Sequence, residues 1–194
     1  MQENIPMTNH APRKIHLREF KALTRAISGY EELHILAVHL AEHLCRSFGV
    51  KGCSIMLFDE RERQLFRVSS HGISEEYLDK GPIFVDEKYT AFVTGEPVFI
   101  EDFQNDPRVQ YPEAAKKEGI VSMLSVPIKH RNAAMGLIRI YHSSPWRPDP
   151  DDLDSFCLLA EHMGLVIENS GLKNFLERVV SAMETLPLRM LKGL

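Results

Sequence analysis

Hydrophobic positions along the chain change period twice. From Leu17 to Ile27 they recur at Leu17, Phe20, Leu23 and Ile27, the spacing that lines one face of a helix. After Ser28-Gly29 the same spacing resumes over a longer run. Leu33, Leu36, Ala37, Leu40, Leu44 and Phe48 form one stripe, with Gly49 placed to end it. At Gly52 the texture becomes strand-like. CSIMLFD (53–59) and LFRVSSHG (65–72) predict two strands around a charged ERER turn, and PVFIED (97–102) predicts another. IVSMLSVPIKH (120–130) and AMGLIRIYHS (134–143) predict a strand pair joined at Arg131-Asn132.

Shorter elements fill the gaps. SEEYLDKG (74–81) opens with an N-capping serine and first-turn glutamates, as a short helix does. YPEAAKKEG (111–119) has Pro112 near its start and Gly119 at its end. Within the weakly patterned 82–95, AFVTG reads as a helical turn. After the loop SPWRPDPDD, Leu153, Phe156, Ala160, Met163 and Ile167 predict a long helix. Past Gly171 a second phase appears in Leu172, Phe175, Leu176, Val179, Met183 and Leu186, a short coiled-coil seam ending at Pro187. The order is that of an α+β fold, an antiparallel sheet with amphipathic helices at both ends of the chain lying on one face. Four regions result: a flexible arm (1–14), an N-terminal helix (15–29), the folded domain (30–171) and a C-terminal amphipathic helix and tail (172–194).

Composition removes several classes of function. The 194 residues carry a net charge of −4, and their basic residues are scattered, so nothing marks a nucleic-acid or anionic-lipid surface. No apolar run is long enough to span a membrane, and the first residues lack the hydrophobic core of a secretion signal. Cys45, Cys53 and Cys157 sit in regularly patterned apolar stretches, as reduced, buried thiols of a cytoplasmic protein do.

One motif suggests metal chemistry. His39, Glu42 and His43 form H-x-x-E-H, which in one class of zinc peptidases supplies two ligands and a general base. On the helical stripe defined by Leu33 to Phe48, both histidines fall on the shoulder and Glu42 further towards solvent. A third ligand and an enclosing cleft are also needed, and no spacing provides them, although Glu161-His162 on the last helix repeats the pair. The motif is read as the edge of a packed helix, with no metal. His71 and His130 are read as surface or boundary residues.

Several segments together carry a resemblance. CSIMLFDERERQLFRVSSHGISEEYL, TGEPVFIEDFQNDPRV (94–109), GIVSMLSVPIKHRNAAMGLIRIYHSSPW and DDLDSFCLLAEHMGLVIENSGL follow one another as they do in GAF domains, so residues 30–172 resemble that family. The resemblance implies six antiparallel strands, terminal helices packed on one face, and short helices and loops enclosing a small-molecule pocket on the other. It implies a sensor that dimerises through its terminal helices; a few members are enzymes.

The branch of the family is narrowed by what is missing. Cyclic-nucleotide-binding members carry Asn-Lys after the last strand, where this chain has His142-Ser143, with Trp146 near the following Phe position. Free methionine-(R)-sulfoxide reductases need pocket cysteines as nucleophile and resolving thiol, but no cysteine lies between Phe58 and Phe156. A covalently attached bilin is disfavoured for the same reason. The expectation is a protein that is not an enzyme and carries no cofactor, with an unknown small molecule as its ligand.

Strand alternation supplies pocket candidates. Ile138 and Ile140 read as core, which turns Arg139 and Tyr141 to the other face. Arg139 either holds an anion with its planar fork or pairs with a surface carboxylate. Ser122 or Ser125 either donates to a ligand or satisfies local backbone. Tyr89, Phe92, Phe99, Tyr111 and Met123 form either an apolar pocket wall or ordinary core. The functional expectation is a cytoplasmic, homodimeric sensor acting through a signalling partner. The alternatives are an interaction module with a degenerate pocket and, further off, a redox enzyme.

Overall fold

The computed structural model describes residues 33–85 and 90–184. The predicted arm, the helix at 15–29, Tyr89, and Leu186 and Pro187 at the end of the seam lie outside the described residues. Six antiparallel strands form one sheet: β1 (Gly52–Asp59), β2 (Gln64–His71), β3 (Ile83–Phe84), β4 (Val98–Ile100), β5 (Ser122–His130) and β6 (Ala133–His142). Their order across the sheet is β3-β2-β1-β6-β5-β4. Chain-adjacent pairs make both halves, and the β1–β6 pairing closes the middle of the sheet.

Two long helices, α1 (Leu33–Phe48) and α5 (Pro150–Glu184), cover one face. The stripe expected on α1 is the buried one: Leu36, Ala37, Leu40 and Leu44 pack with Phe156, Leu159 and Met163 of α5. They meet Cys53, Ile55, Leu124, Val126, Ile138 and Ile140, the alternate residues of β1, β5 and β6. Each fully buried Leu, Ile or Phe contributes roughly 1.5–3 kcal/mol, so this layer dominates the stability of the domain.

The opposite face carries three short helices: α2 (Glu75–Leu78), α3 (Ala91–Thr94) and α4 (Pro112–Glu118). Ser74 and Thr90 cap α2 and α3 by accepting from the backbone N–H three residues on, and Gly95 and Gly119 end α3 and α4 in the left-handed region. The apolar residues here form two smaller clusters, one around Tyr77, Phe103 and Tyr141, the other around Met56, Leu65 and Leu137.

Close backbone approach explains one glycine of the sheet. A Cβ on Gly136 would lie 2.1 Å from the Met56 carbonyl oxygen, so no larger residue fits where β6 crosses β1. At Gly171, by contrast, the helix does not break. α5 runs unbroken through it for 35 residues, and a Cβ there would meet nothing within 4 Å. The change of phase past Gly171 is therefore a change of surroundings within one helix. Residues up to Ile167 pack on the core layer, and 171–181 are exposed throughout.

Candidate functional site

Between the sheet and its short helices lies a cavity of about 510 Å³. Its floor is Met123 and Ser125 of β5 with Leu137 and Arg139 of β6. The register sets Ser125 opposite Arg139, and alternation turns both to this face, away from the Ile138 and Ile140 core. Ala91, Val98, Ile100 and Phe103 supply apolar walls. Tyr77 and Lys80, at and just beyond the end of α2, and the loop Asp106 to Tyr111 complete the lining. A groove of about 680 Å³ along α4 shares Tyr77, Lys80, Gln110 and Tyr111 with the cavity.

Of the residues expected to form a site, Arg139, Met123 and Tyr111 come together in this lining. Tyr111 also fixes the segment before β3, its hydroxyl donating to the Pro82 carbonyl at 2.7 Å. Tyr141 is turned to the same face but is 1% exposed, held edge-on to Tyr77 and Phe103. It lines a separate cavity of about 80 Å³ with Ser54, Arg67 and Lys80.

Three expected residues stand elsewhere. Ser122 precedes Met123 in an extended strand, so the two face opposite sides of the sheet; Ser122 is fully buried and donates to the Ser144 carbonyl at 2.9 Å. The serine in the cavity is Ser125. Phe99 pairs with Leu124 on the helix-covered face and meets Trp146 edge-on at 6.3 Å. Phe92 packs on Phe58 with ring centres 4.4 Å apart and does not line the cavity, although its neighbour Ala91 does.

The charges in the lining are unequally paired. Arg108 donates to Asp106 through Nε at 2.8 Å and Nη2 at 2.6 Å, a two-point pair that holds the Asp106 carboxyl below its ordinary range. Arg139 and Lys80 have no such partner among the described residues. The Arg139 Nε is buried and meets no hydrogen-bond acceptor. Lys80 donates to the Tyr77 carbonyl at 3.1 Å and lies 3.8 Å above the Tyr77 ring. Burial, then the charges of Arg139 and Arg67, lower its ammonium to about 8, against an opposing pull from Glu118. Burial also pushes the Tyr141 hydroxyl up, opposed by the neighbouring Arg139 and Ser54.

None of the three cysteines lines the cavity. Cys53 is fully buried on the helix-covered face, and Cys45 donates weakly to the His71 carbonyl at 3.6 Å. Burial raises Cys45 to about 12 and raises Cys53 and Cys157 as well, so these thiols are held in their protonated form. In the H-x-x-E-H segment, Glu42 pairs with Arg46 at 2.6 Å, one turn further along α1. His39 is the exposed member of the motif, while Glu42 and His43 are half-buried, so the expected order of exposure is reversed for His39 and Glu42. Among the described residues no three His, Cys, Asp or Glu side chains stand together as a metal site would require.

Residues 32–167 match the family profile described as GAF domain. The chain belongs to the GAF domain family. Among solved structures, it is similar to the GAF domain of a phosphoenolpyruvate-protein phosphotransferase from Coxiella burnetii. The two are 16% identical with a TM-score of 0.72, over 81% of this chain and 95% of that one. The corresponding domain from Acinetobacter is 20% identical, with a TM-score of 0.69 over 86% and 97%. Free methionine-R-sulfoxide reductase from Neisseria meningitidis, in complex with its substrate, is 16% identical with a TM-score of 0.67 over 79% and 89%. At these identities the shared property is the fold. A comparison with curated protein sequences finds no match. The GAF fold accounts for the six-stranded sheet and the two-sided placement of helices. No helix among the described residues is long and apolar enough to cross a membrane.

Proposed function

We propose that this GAF domain is a non-catalytic cytoplasmic sensor that binds a small molecule in the 510 Å³ cavity and acts as a homodimer through its terminal helices. The observation that carries this reading is the cavity itself, mostly apolar, with Arg139 at its floor, the buried Nε of its guanidinium without an acceptor. The paired seam would be α5, where Leu158, Leu165, Leu172 and Val179 are exposed at seven-residue intervals, with Phe175 and Leu176 beside them. A sustained seven-residue repeat suits a second copy of the same helix. To act as a sensor, the ligand must bind one arrangement of those helices more tightly than another, since equal affinity shifts nothing. The output then passes to a signalling partner.

Native mass spectrometry of freshly purified protein, compared with the denatured sample, tests both halves. A dimer carrying extra mass that disappears on denaturation is the expected result. A monomer under all conditions would remove the helix-seam half of the reading. A dimer with no added mass, followed by no thermal response across a metabolite panel, would favour a second reading. That reading, a dimerisation module with a degenerate pocket, rests on the exposed seam alone. The reductase reading has less support, because a thiol nucleophile would have to come from outside the cavity lining.

A further inference from the structure

We infer that the cavity takes an amphipathic organic anion, its carboxylate or phosphate head held between Arg139 and Lys80 and its apolar body against Ile100, Phe103, Met123 and Leu137. This inference rests on the proposal that the cavity binds a ligand, and it names the class. Of the four charged residues that the described lining holds, Asp106 and Arg108 neutralise each other, which leaves two cations and no anion among the described residues there. Three carboxylates near the α2 end of the cavity are also committed. Glu118 binds Lys51 at 3.2 Å and both the amide and hydroxyl of Ser74, Glu75 faces Arg67 at 3.7 Å, and Glu76 binds Lys117.

A guanidinium nitrogen that is buried without an acceptor incurs a desolvation cost that a bound anion relieves. Ser125, directly across the β5–β6 ladder from Arg139, is 3% exposed, and its hydroxyl reaches only the Met123 sulfur at 3.8 Å. It therefore remains available to a head group. Lys80 lines the main cavity, the small cavity beneath Tyr141 and the outer groove, so its ammonium stands where the three meet. No helical or strand pattern in the sequence marks it.

The two cations disfavour each other when the cavity is empty, and an anion between them removes that penalty. Binding is therefore linked to proton uptake. The groups that act on the Lys80 ammonium are Arg139 from β6 and Arg67 from β2, which oppose its charge, and Glu118 from α4, which supports it. Tyr77 contributes its carbonyl and ring face. Head-group affinity should decline as the pH rises through about 8, where Lys80 loses its proton.

The test uses the full chain and a matched series: butyrate, hexanoate and octanoate, their neutral amides, and hexyl phosphate, titrated by amide chemical-shift changes. We expect at least one anion to bind tenfold or more tightly than its amide and affinity to rise with chain length. Arg139→Gln should lower the affinity for anions at least tenfold while leaving the amides unchanged. In wild type the preference for the acid should fall between pH 7 and pH 9.5, and in Lys80→Met it should be small at both. The acid-to-phosphate ratio then identifies the head group. Amides binding as tightly as acids, or anion binding indifferent to Arg139→Gln, would overturn the anion assignment and leave ligand binding in place. No binding by any compound, charged or neutral, would overturn both. Circular dichroism of each variant separates a lost site from a lost fold.

Discussion

At Gly164 the backbone of α5 lies close against β5: a Cβ there would lie 2.0 Å from the Lys129 carbonyl oxygen. That carbonyl sits beside a register irregularity, where Ile128 pairs with Gly136 and Lys129 with Ala134, so that β6 carries the extra residue, Met135. From the same residue, the Lys129 ammonium reaches the Gly95 carbonyl at 2.6 Å, at the end of α3. One residue thus contacts both the long helix and a helix that covers the cavity.

Gly164→Ala and Gly171→Ala should move stability in opposite directions. Alanine has an intrinsic helix advantage of about 1 kcal/mol at either position. At Gly164 the overlap with a fixed carbonyl outweighs it, and the net loss should be about 2 kcal/mol, in the range of overpacked cores. At Gly171 nothing lies within 4 Å, so the advantage stands. Urea midpoints of the two variants check the contrast, and equal shifts would contradict the packing described.

Val179→Glu should convert a dimer to a monomer. Val179 stands in register with Leu158, Leu165 and Leu172 on the exposed stripe, and a carboxylate at that position would be buried against its own copy. Sedimentation velocity reads the outcome, with unchanged circular dichroism showing that the domain still folds. A variant that stayed dimeric would place the interface elsewhere.

Lys80→Met should make the unliganded protein more stable at neutral pH, and the advantage should shrink with rising pH. In the folded protein the ammonium is lowered from 10.5 to about 8, chiefly by burial. Between those values the unfolded chain binds a proton that the folded chain does not, so wild-type stability rises with pH. The penalty is fully present below about 8 and gone above about 10.5, and methionine never incurs it. Melting temperatures of both proteins from pH 7 to pH 10.5 provide the comparison, with a constant gap as the contrary result.

Iodoacetamide at pH 8 should modify Cys45 and Cys53 only when the domain unfolds. Both are buried, and burial holds them in the unreactive thiol form. Peptide mass mapping with and without denaturant measures this. Rapid labelling of either residue in the native state would reopen a thiol-based activity.

Much of the fold was legible because the strong periods were also the buried ones. Leu36, Leu40 and Leu44 announce α1, and the split of Ile138 and Ile140 from Arg139 and Tyr141 announces the two faces of β6. The strand Ile83–Phe84 was not legible in the pattern, since two residues cannot display an alternation. For the site, the alternation that singles out Arg139 extends to the neighbouring strands. Applied to β5, it assigns Met123 and Ser125 to one face and Ser122 to the other; applied to β4, it separates Phe99 from Val98 and Ile100. Lys80 and Gly164 were out of reach for a different reason. Their roles come from what lies across space, a cavity and a carbonyl, and no neighbour in sequence carries that information.

The unbroken course of α5 gives the domain a mechanical gain. At 1.5 Å per residue, Val179 lies about 22 Å along the axis from Gly164, where the helix rests on the sheet. A tilt of about 5° about that rest point carries Val179 through about 2 Å over such an arm. Around Met163 the same tilt displaces atoms by only a few tenths of an ångström, within what a packed layer absorbs by small adjustments. The rest point is a fulcrum: Phe156, about 12 Å back along the axis, moves by about 1 Å, and the free arm at Val179 sweeps twice that.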